Sequence, residues 1–319
     1  MAQIVTMGEI LVEMMATRIG QTFLEPGLFA GPYPSGAPAI FADQAARVGA
    51  STALIGCVGC DDFGTLNLRR LASGGVDTSF VRRVPGATTG SAFVTYRKDG
   101  SRDFVFNIAN SAAGTLSAAQ LDPAAFRGCR YFHVMGSSLF GPELARAALR
   151  GVELARAAGA RVSFDPNIRK ELLELPEVEA AIRSILRISD LLLPSEADLE
   201  HLAPGLSEAE AAAGLLAQGR EMVLLKKGAS GSVLFATGQR IATSAFASEE
   251  VDPTGAGDCF GGTFVACLAL GIPLERALRL ANAAGALAVR KKGPMEGNSS
   301  LAELEAFLDA HDRAGRETN

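Results

Sequence analysis

Residues 252–262 combine residue types that could hold a phosphate group with one that could accept a proton. Gly255 and Gly257 lack side chains, so the backbone can turn tightly there and direct several N–H groups at an anion just before a helix begins. Asp258 would repel that anion unless its carboxylate takes a proton from an attacking hydroxyl. A turn in which Asp258 only caps the helix is the alternative interpretation.

Polar residues near the start of the chain could bind a polyhydroxy ligand. Glu13 closes the first apolar run, at the edge where an open α/β sheet binds its ligands, and an exposed surface acid is the alternative for this residue. Residues 34–44 then open a helix with a flexible turn. In this segment Gly36, Ala37 and Asp43 offer a backbone that a ligand can approach and a carboxylate that can accept its hydroxyl groups.

A second predicted strand end carries an acid, an amide and a guanidinium, in Asp165, Asn167 and Arg169. These groups suit substrate hydroxyls and phosphate charge, because an arginine can donate forked hydrogen bonds to phosphate oxygens. A turn capped by Asp165 is the alternative, since an acid before proline often has that role.

Two later turns could contact a nucleotide. Ser195 begins a segment whose two carboxylates could orient the waters of Mg²⁺, and a serine cap on an acidic first helical turn is equally compatible with it. Lys226, Gly228 and Gly231 belong to a glycine-containing turn that follows another predicted strand. We expect these four residues on the nucleotide side of a shared site.

The hydrophobic pattern predicts a scaffold that brings such strand ends together. Apolar runs and helical patterns alternate over residues 1–74 and again over 131–289, which predicts parallel βαβ units. Two strand-like runs, 88–97 and 102–108, interrupt this alternation and are joined by an Asp-Gly turn typical of hairpins. We expect the hairpin to leave the main sheet and form a small sheet over its edge. The polar tail from residue 310 is expected to fray.

Composition argues against several classes of function. A net charge of −5 disfavours sequence-independent nucleic-acid binding, and no apolar run is long enough to span a bilayer, so we expect neither nucleic acid nor membrane as a partner. The first residues are typical of a strand rather than a signal peptide, which favours a cytoplasmic protein. We expect His133 to be a core histidine, and Cys57 and Cys60 to be buried small residues rather than a redox or metal pair. No Ser-His-Asp set, zinc-ligand spacing or P-loop is present.

The order of these features resembles the ribokinase (PfkB) family of sugar kinases over essentially the whole chain. Residues 35–49, continuing at 55–64, resemble the first signature of that family, and residues 252–271 resemble the second. The resemblance implies an α/β protein with the three-layer, Rossmann-like ribokinase fold, in which a mainly parallel central sheet carries a small β-sheet lid. The implied domains are the α/β domain in 1–14, 37–86 and 113–319, and the lid in 15–36 and 87–112.

The resemblance also implies catalytic roles. Asp258 corresponds to the base that activates the primary hydroxyl of the sugar. Gly255, Ala256 and Gly257 correspond to the anion hole for the γ-phosphate of ATP, and Arg169 assists with the charge.

Further roles implied by the resemblance concern the nucleotide and the ions. Asn282 corresponds to a residue near the nucleotide, and Asp252 and Thr254 match the loop that holds a monovalent cation such as K⁺. Ser195 and Asp198 stand where the family usually has Asn and Glu, which weakens a specific role in the magnesium region. The implied ligands are ATP, Mg²⁺ and a sugar, and family analogy implies a homodimer in which the lids pack together.

Departures from the family pattern bear on the sugar. Ile40 stands where an Asn often contacts the sugar, and Glu13 stands where many members carry Asp. Kinases of 2-keto-3-deoxygluconate commonly hold the substrate carboxylate with an Arg and a Tyr on the second lid strand, where this chain has Phe106 and Asn107. We therefore expect these two residues to contact a neutral ketohexose, similar to tagatose or fructose. A 2-keto-3-deoxygluconate kinase and a catalytically silent sugar-binding regulator are the alternatives.

Overall fold

Successive residues of the central strands belong to two hydrophobic cores, one on each face of the sheet. Ile4 and Leu54 pack in one core, whereas their neighbours Val5 and Ile55 pack in the other. Because successive side chains of a strand point to opposite faces, both faces of this sheet are apolar. Each face therefore needs its own layer of helices.

The computed structural model describes residues 1–99, 101–168 and 174–317. The strands in this part of the chain are β1 (Ile4–Met7), β2 (Leu11–Ala16), β3 (Phe29–Ser35), β4 (Thr52–Gly59), β5 (Val81–Val84), β6 (Gly90–Tyr96), β7 (Arg102–Asn107), β8 (Tyr131–Met135), β9 (Arg161–Asp165), β10 (Leu191–Leu192), β11 (Met222–Lys226), β12 (Ser232–Ala236) and β13 (Gln239–Thr243). The α-helices are α1 (Ala37–Val48), α2 (Asp62–Ser73), α3 (Pro142–Ala157), α4 (Pro176–Ile188), α5 (Glu196–Leu202), α6 (Glu208–Ala217), α7 (Ala256–Leu270), α8 (Leu274–Ala288) and α9 (Leu301–Glu317). Short 3₁₀ helices occupy Ala112–Thr115, Ala118–Gln120, Pro123–Phe126, Gly136–Ser138 and Gly228–Ser230.

The large sheet has the strand order β13-β12-β11-β10-β9-β8-β1-β4-β5. Its strands run parallel from β11 to β5, and β12 and β13 are added antiparallel at the edge. Helices α1, α7, α8 and α9 pack on one face, while α3, α4 and α6 pack on the other. This three-layer arrangement confirms the predicted fold class.

The small sheet has the order β3-β2-β6-β7. Strands β6 and β7 form the antiparallel hairpin that the Asp-Gly turn predicted. Strand β2 pairs in parallel with β6 and antiparallel with β3, so the N-terminal segment supplies a central strand of this sheet.

The chain passes from the large sheet to the small one much earlier than we expected. Residues 1–14 are assigned to the larger domain by sequence, whereas β2 begins at Leu11 and belongs wholly to the small sheet. The two strands are separated by a turn at Gly8, whose φ of 146° suits glycine. Since both strands are apolar, only that glycine marks the boundary in the sequence.

Several local expectations were wrong. The tail from residue 310 does not fray at its start, because α9 continues to Glu317 after Leu304 and Leu308 are buried in the core one helical turn apart. Cys57 is buried as expected, but Cys60 is exposed at the end of β4.

Among the described helices, none combines the length and the apolar character that crossing a membrane requires.

His133 is a fully buried core residue on β8, as the sequence predicts. Its ring stacks on Phe41 with centroids 3.9 Å apart, and its Nδ1 lies 3.0 Å from Ser163 Oγ. Burial lowers the pKa of His133 to about 3, and the nearby charge of Lys226 acts in the same direction. The folded protein therefore holds this ring neutral at any ordinary pH.

We expect the free energy of unfolding to fall as the pH drops from 6.5 towards about 3, because the unfolded chain binds a proton at His133 that the folded chain does not. One such group changes this free energy by about 1.4 kcal/mol per pH unit. His133→Phe should remove that part of the slope, and His201→Phe, at an exposed position, should retain it. Urea unfolding at several pH values measures the slopes, and an unchanged slope in His133→Phe would contradict the expectation.

Candidate active site

A cavity of about 960 Å³ lies between the carboxyl ends of the central strands and the inner face of the small sheet. Most residues selected from the sequence line this cleft. They are Glu13, Gly36, Ala37, Phe106, Asp165, Asn167, Ser195, Lys226, Gly228, Thr254, Gly255, Gly257 and Asp258. The strand-end rule thus brings together residues that are up to 245 positions apart, from Glu13 to Asp258.

The start of α7 forms part of the floor of the cleft. Gly255 precedes the helix in the left-handed conformation, with φ 80°. A Cβ on this residue would lie 2.5 Å from the carbonyl oxygen of Pro294, whereas a Cβ on Gly257 would meet only Lys226 Nζ, at 3.9 Å. The first N–H groups of a helix have no partner within it and carry partial positive charge, so this end of α7 is suited to an anion.

Asp258 lies in the first turn of α7 and lines the cleft. The residue that caps the helix is Gly255, and no side chain makes the capping hydrogen bond. The interpretation of Asp258 as the helix cap is therefore wrong, and the residue lines the cleft together with Gly255 and Gly257. Ala256 begins the helix but does not line the cavity.

The segment before the cradle is fixed by Asp252, which is 1% exposed. Its Oδ1 accepts hydrogen bonds from Thr254 N (3.0 Å) and Thr254 Oγ1 (2.7 Å), and its Oδ2 accepts one from Gly293 N (3.0 Å). Arg102 of the small sheet donates to Thr254 Oγ1 at 2.8 Å. The small sheet is therefore in direct contact, through Arg102, with the segment that leads into Gly255 and α7. A carboxylate oxygen has two lone pairs, so these bonds leave Asp252 Oδ2 compatible with a cation ligand.

Two buried carboxylates also line the cleft. Glu13 is 7% exposed and accepts a hydrogen bond from Ser35 Oγ at 2.7 Å, so the alternative of an exposed surface acid is wrong. Glu9, which sequence reasoning missed, is 5% exposed, lines the same cavity and accepts a hydrogen bond from Ala37 N at 3.2 Å. Glu9 follows β1 closely, so the strand-end rule that selected Asp165 could have found it.

Lys226 forms an ion pair with Asp165 across the floor of the cleft. Burial raises the pKa of the Asp165 carboxyl, and the Lys226 ammonium opposes that rise. In this arrangement the carboxylate positions the lysine beside the cradle.

The turn after β10 is a capped helix start. Ser195 Oγ accepts from Asp198 N, and Asp198 Oδ2 accepts from Ser195 N and Oγ, which is a complete capping box. The other oxygen, Oδ1, accepts from Ile168 N at 2.8 Å. Of the two interpretations of Ser195, the cap is the one present, although the residue also lines the cavity.

Five further candidates do not line the cleft. Asp43 is fully buried behind it, Asp252 lies beneath the cradle, and Asn282 donates to Ser232 Oγ and to Leu278 O within α8 and its neighbouring strand. The other two candidates outside the cavity are Asn107, exposed at the end of β7, and Gly231. Sequence position alone could not distinguish these from residues on the cleft side.

Arg169 lies outside the described residues. Within the described ranges, no group of three or more His, Cys, Asp or Glu side chains is arranged to hold a metal ion. A divalent cation in this cleft would therefore draw much of its oxygen coordination from bound phosphates and water, as Mg²⁺ commonly does.

Comparison with known proteins agrees with this geometry. Residues 30–301 match the profile of the pfkB family carbohydrate kinases. Fructokinase-1 of Oryza sativa subsp. japonica is 35% identical over 96% of this chain and 98% of its own length, and probable fructokinase-3 of Arabidopsis thaliana is 33% identical over 99% of this chain and 93% of its own.

Solved structures of similar proteins share the whole architecture. A putative ribokinase II from E. coli in complex with ATP and Mg²⁺ is 48% identical, with a TM-score of 0.93 over 98% of this chain and 100% of that one. Fructokinase from Vibrio cholerae O395 with fructose, ADP and calcium is 26% identical, with a TM-score of 0.83 over 97% of this chain and 99% of that one.

The two cradle glycines should respond oppositely to alanine in stability. Gly255→Ala is expected to lower the free energy of unfolding by about 1–2 kcal/mol from the left-handed conformation alone, with a further loss from the contact with Pro294. Gly257→Ala is expected to raise it by about 0.5–1 kcal/mol, because alanine favours the helix. Chemical unfolding measures both changes.

Both substitutions should nevertheless weaken anion binding, since each changes the cradle. Calorimetric titration with inorganic tripolyphosphate provides the measurement. A Gly257→Ala variant that binds this probe as tightly as the unmodified protein would show that the anion site lies elsewhere.

Proposed function

The chain belongs to the pfkB family of carbohydrate kinases, which transfer a phosphoryl group to a sugar hydroxyl, and we propose that it is an ATP-dependent kinase of a ketohexose similar to fructose or tagatose. The observation that carries the proposal is that Asp258 and the glycines at the start of α7 line the same cleft as two buried carboxylates, Glu9 and Glu13. The acceptor would be a terminal hydroxyl of the sugar.

The residues of the cleft supply the parts that phosphoryl transfer needs. Asp258 takes the proton of the attacking hydroxyl as the new bond from its oxygen to the γ-phosphorus forms, while the bond from that phosphorus to the bridging oxygen breaks and ADP leaves. The N–H groups at the start of α7, with Gly255 and Gly257 clearing their approach, stabilise the charge on the transferred phosphoryl group. Lys226 adds a positive charge close to Gly257. We propose Arg169 as a further cation.

Bound Mg²⁺ would neutralise phosphate charge, and the protein would position the nucleotide beside it. We propose that Ser195 and Gly228, which line the cleft, contact the nucleotide, and that the cation site at Asp252 and Thr254 takes a monovalent ion. The similar E. coli protein binds ATP with Mg²⁺, which supports the same nucleotide here.

The two buried acids that line the cleft favour a neutral sugar. Glu9 and Glu13 are both buried and can accept hydrogen bonds from sugar hydroxyls. The carboxylate of a sugar acid would face two buried acids, which raises the free energy of the bound state. Ile40 and Phe106 line the same cleft and would add apolar contact to the sugar ring. The fructokinase relatives support a ketohexose over 2-keto-3-deoxygluconate.

The outer face of the small sheet supports a homodimer. Phe93 and Val105 are directly paired across β6 and β7, and they are 37% and 51% exposed. Phe29 packs edge-on against Phe93 and extends the apolar face. A second copy that presents the same face would bury this surface by two-fold symmetry.

The proposal predicts ADP release from ATP and Mg²⁺ with a ketohexose as the acceptor. A coupled assay should compare fructose, tagatose, ribose, 2-keto-3-deoxygluconate and adenosine. We expect kcat/KM for fructose or tagatose to exceed that for the others by at least about 10-fold. Preferential turnover of the sugar acid would overturn the ketohexose assignment, and no turnover with any acceptor would favour a silent sugar-binding protein. Omitting K⁺ from the same assay tests the monovalent cation site.

Asp258→Asn should lower kcat by at least about 100-fold, because the amide cannot accept the proton. ATP binding should persist, since the cradle glycines are unchanged. Asp309→Asn, at an exposed position on α9, is the matched control and should retain kcat. A near-normal kcat in Asp258→Asn would contradict the assignment of the base.

The dimer proposal predicts that Val105→Lys lowers the mass measured by analytical ultracentrifugation from that of two chains to that of one. A charge placed in a self-complementary apolar interface meets its own copy and loses its water. Ile188→Lys changes an apolar residue of similar exposure, 42%, at the end of α4 and should leave the mass unchanged. A monomeric unmodified protein would end the dimer proposal.

A further inference from the structure

A buried ionic cluster lies directly behind the phosphate cradle. It consists of Asp43 on α1, Arg70 on α2 and Asn298, and we refer to it as the Asp43 cluster. Asp43 is 0% exposed; its Oδ1 accepts from Arg70 Nη1 at 2.9 Å and its Oδ2 accepts from Asn298 Nδ2 at 2.7 Å. Arg47, on the solvent side, donates Nε to Oδ2 at 2.9 Å and remains 28% exposed.

The cluster holds the loop of residues 293–299 in place. Besides Asn298, the loop is held at Met295, whose carbonyl oxygen accepts from Arg70 Nη2 at 2.9 Å. Gln44, the neighbour of Asp43, accepts from Ser299 N at 2.9 Å. The loop is therefore fixed at three of its residues by side chains of α1 and α2.

The same loop supports the catalytic segment. The carbonyl oxygen of Pro294 lies against Gly255, where a Cβ would approach it to 2.5 Å, and Gly293 N donates to Asp252. Cys259, the residue after Asp258, donates its buried thiol to Asn298 Oδ1, with Sγ and Oδ1 3.0 Å apart. Burial raises the pKa of Cys259 well above its usual value, so the thiol keeps its proton for this bond.

A buried charge is a poor means of stabilising a fold, because desolvation offsets much of the attraction between the ions. Charge-assisted hydrogen bonds do, however, fix geometry well, since they are short and directional. Here the Asp43 carboxylate accepts such bonds from Arg47, Arg70 and Asn298. Arg70 also donates to the loop at Met295 O, and Asn298 is itself a loop residue.

We propose that Asp43 is a positioning residue for phosphoryl transfer. Through Arg70 and Asn298 it fixes the loop 293–299, and that loop fixes Gly255 and the helical turn that carries Asp258. The inference rests on the proposed kinase function. It replaces the expectation that Asp43 contacts the sugar, because the carboxylate is fully buried outside the cleft.

Positioning through the loop should act on kcat and leave sugar binding nearly unchanged. Glu9 accepts a hydrogen bond from Ala37 N and Glu13 accepts one from Ser35 Oγ, and neither of these two donors belongs to the loop. Asp43→Asn is therefore expected to lower kcat by about 10- to 100-fold, the range that small displacements of reacting groups produce. The KM for the sugar should stay within about two-fold of that of the unmodified protein, because the substitution leaves the groups that bind the sugar in the ground state unchanged.

Two arginine variants separate positioning from general stability. Arg70→Gln removes an ion pair to Asp43 together with the bond to Met295 O, whereas Arg47→Gln removes an ion pair to the same carboxylate with no contact to the loop. We expect Arg70→Gln to lower kcat as Asp43→Asn does, and Arg47→Gln to retain it within about two-fold. Steady-state kinetics well below each melting temperature, with circular dichroism as a check on folding, provides the comparison.

Asn298→Ser is the further variant for the case in which Asp43→Asn does not fold. It removes the amide that joins Asp43, Cys259 and the carbonyl oxygen of Ile40, and it keeps the two ion pairs of Asp43. Its kcat should fall as well. Normal kcat in Arg70→Gln and Asn298→Ser, or equal losses in Arg47→Gln and Arg70→Gln, would overturn the positioning role. Failure of the unmodified protein to phosphorylate any sugar would instead overturn the proposed function.

Discussion

The conformation of Gly255 is the constraint on which the rest of the cleft depends. Its left-handed backbone turns the chain from the segment held by Asp252 directly into α7, and its α-carbon lies against the carbonyl of Pro294, where no side chain fits. The helix therefore begins at the cleft, which Gly257 and Asp258 of its first turn both line. The arrangement requires support from behind, and the loop 293–299 gives that support.

The cleft combines groups of opposite charge. The start of α7 and Lys226 are suited to phosphate, while Glu9 and Glu13 are suited to hydroxyl groups. Under the proposed function, this combination serves a neutral, polyhydroxylated substrate that is to be joined to an anion. The Asp165 carboxylate forms an ion pair with Lys226 and so holds the lysine in place.

The alternation of apolar runs and helical patterns predicted parallel βαβ units, and strand ends predicted part of the cleft, because parallel sheets have a property that does not depend on detail. Asp165, Ser195 and Lys226 each follow a strand, and parallel strands must present these ends together. The prediction for Asp43, taken from the helix start at residues 34–44, was wrong, because six residues into a helix the direction of a side chain depends on how that helix packs. Asn282, which the family resemblance implied, also lies within a helix and outside the cleft. Glu9 was missed because β1 and β2 were taken as one apolar run, which hid the strand end at Met7.

The early crossing of the chain at Gly8 places the two carboxylates of the sugar end on different bodies. Glu9 is bonded to the start of α1 in the large domain, whereas Glu13 belongs to β2 in the small sheet and is bonded to β3. Under the proposed function, a sugar held by both acids would bridge the large domain and the small sheet. A molecule that reaches only one of the two acids would leave the two parts unlinked.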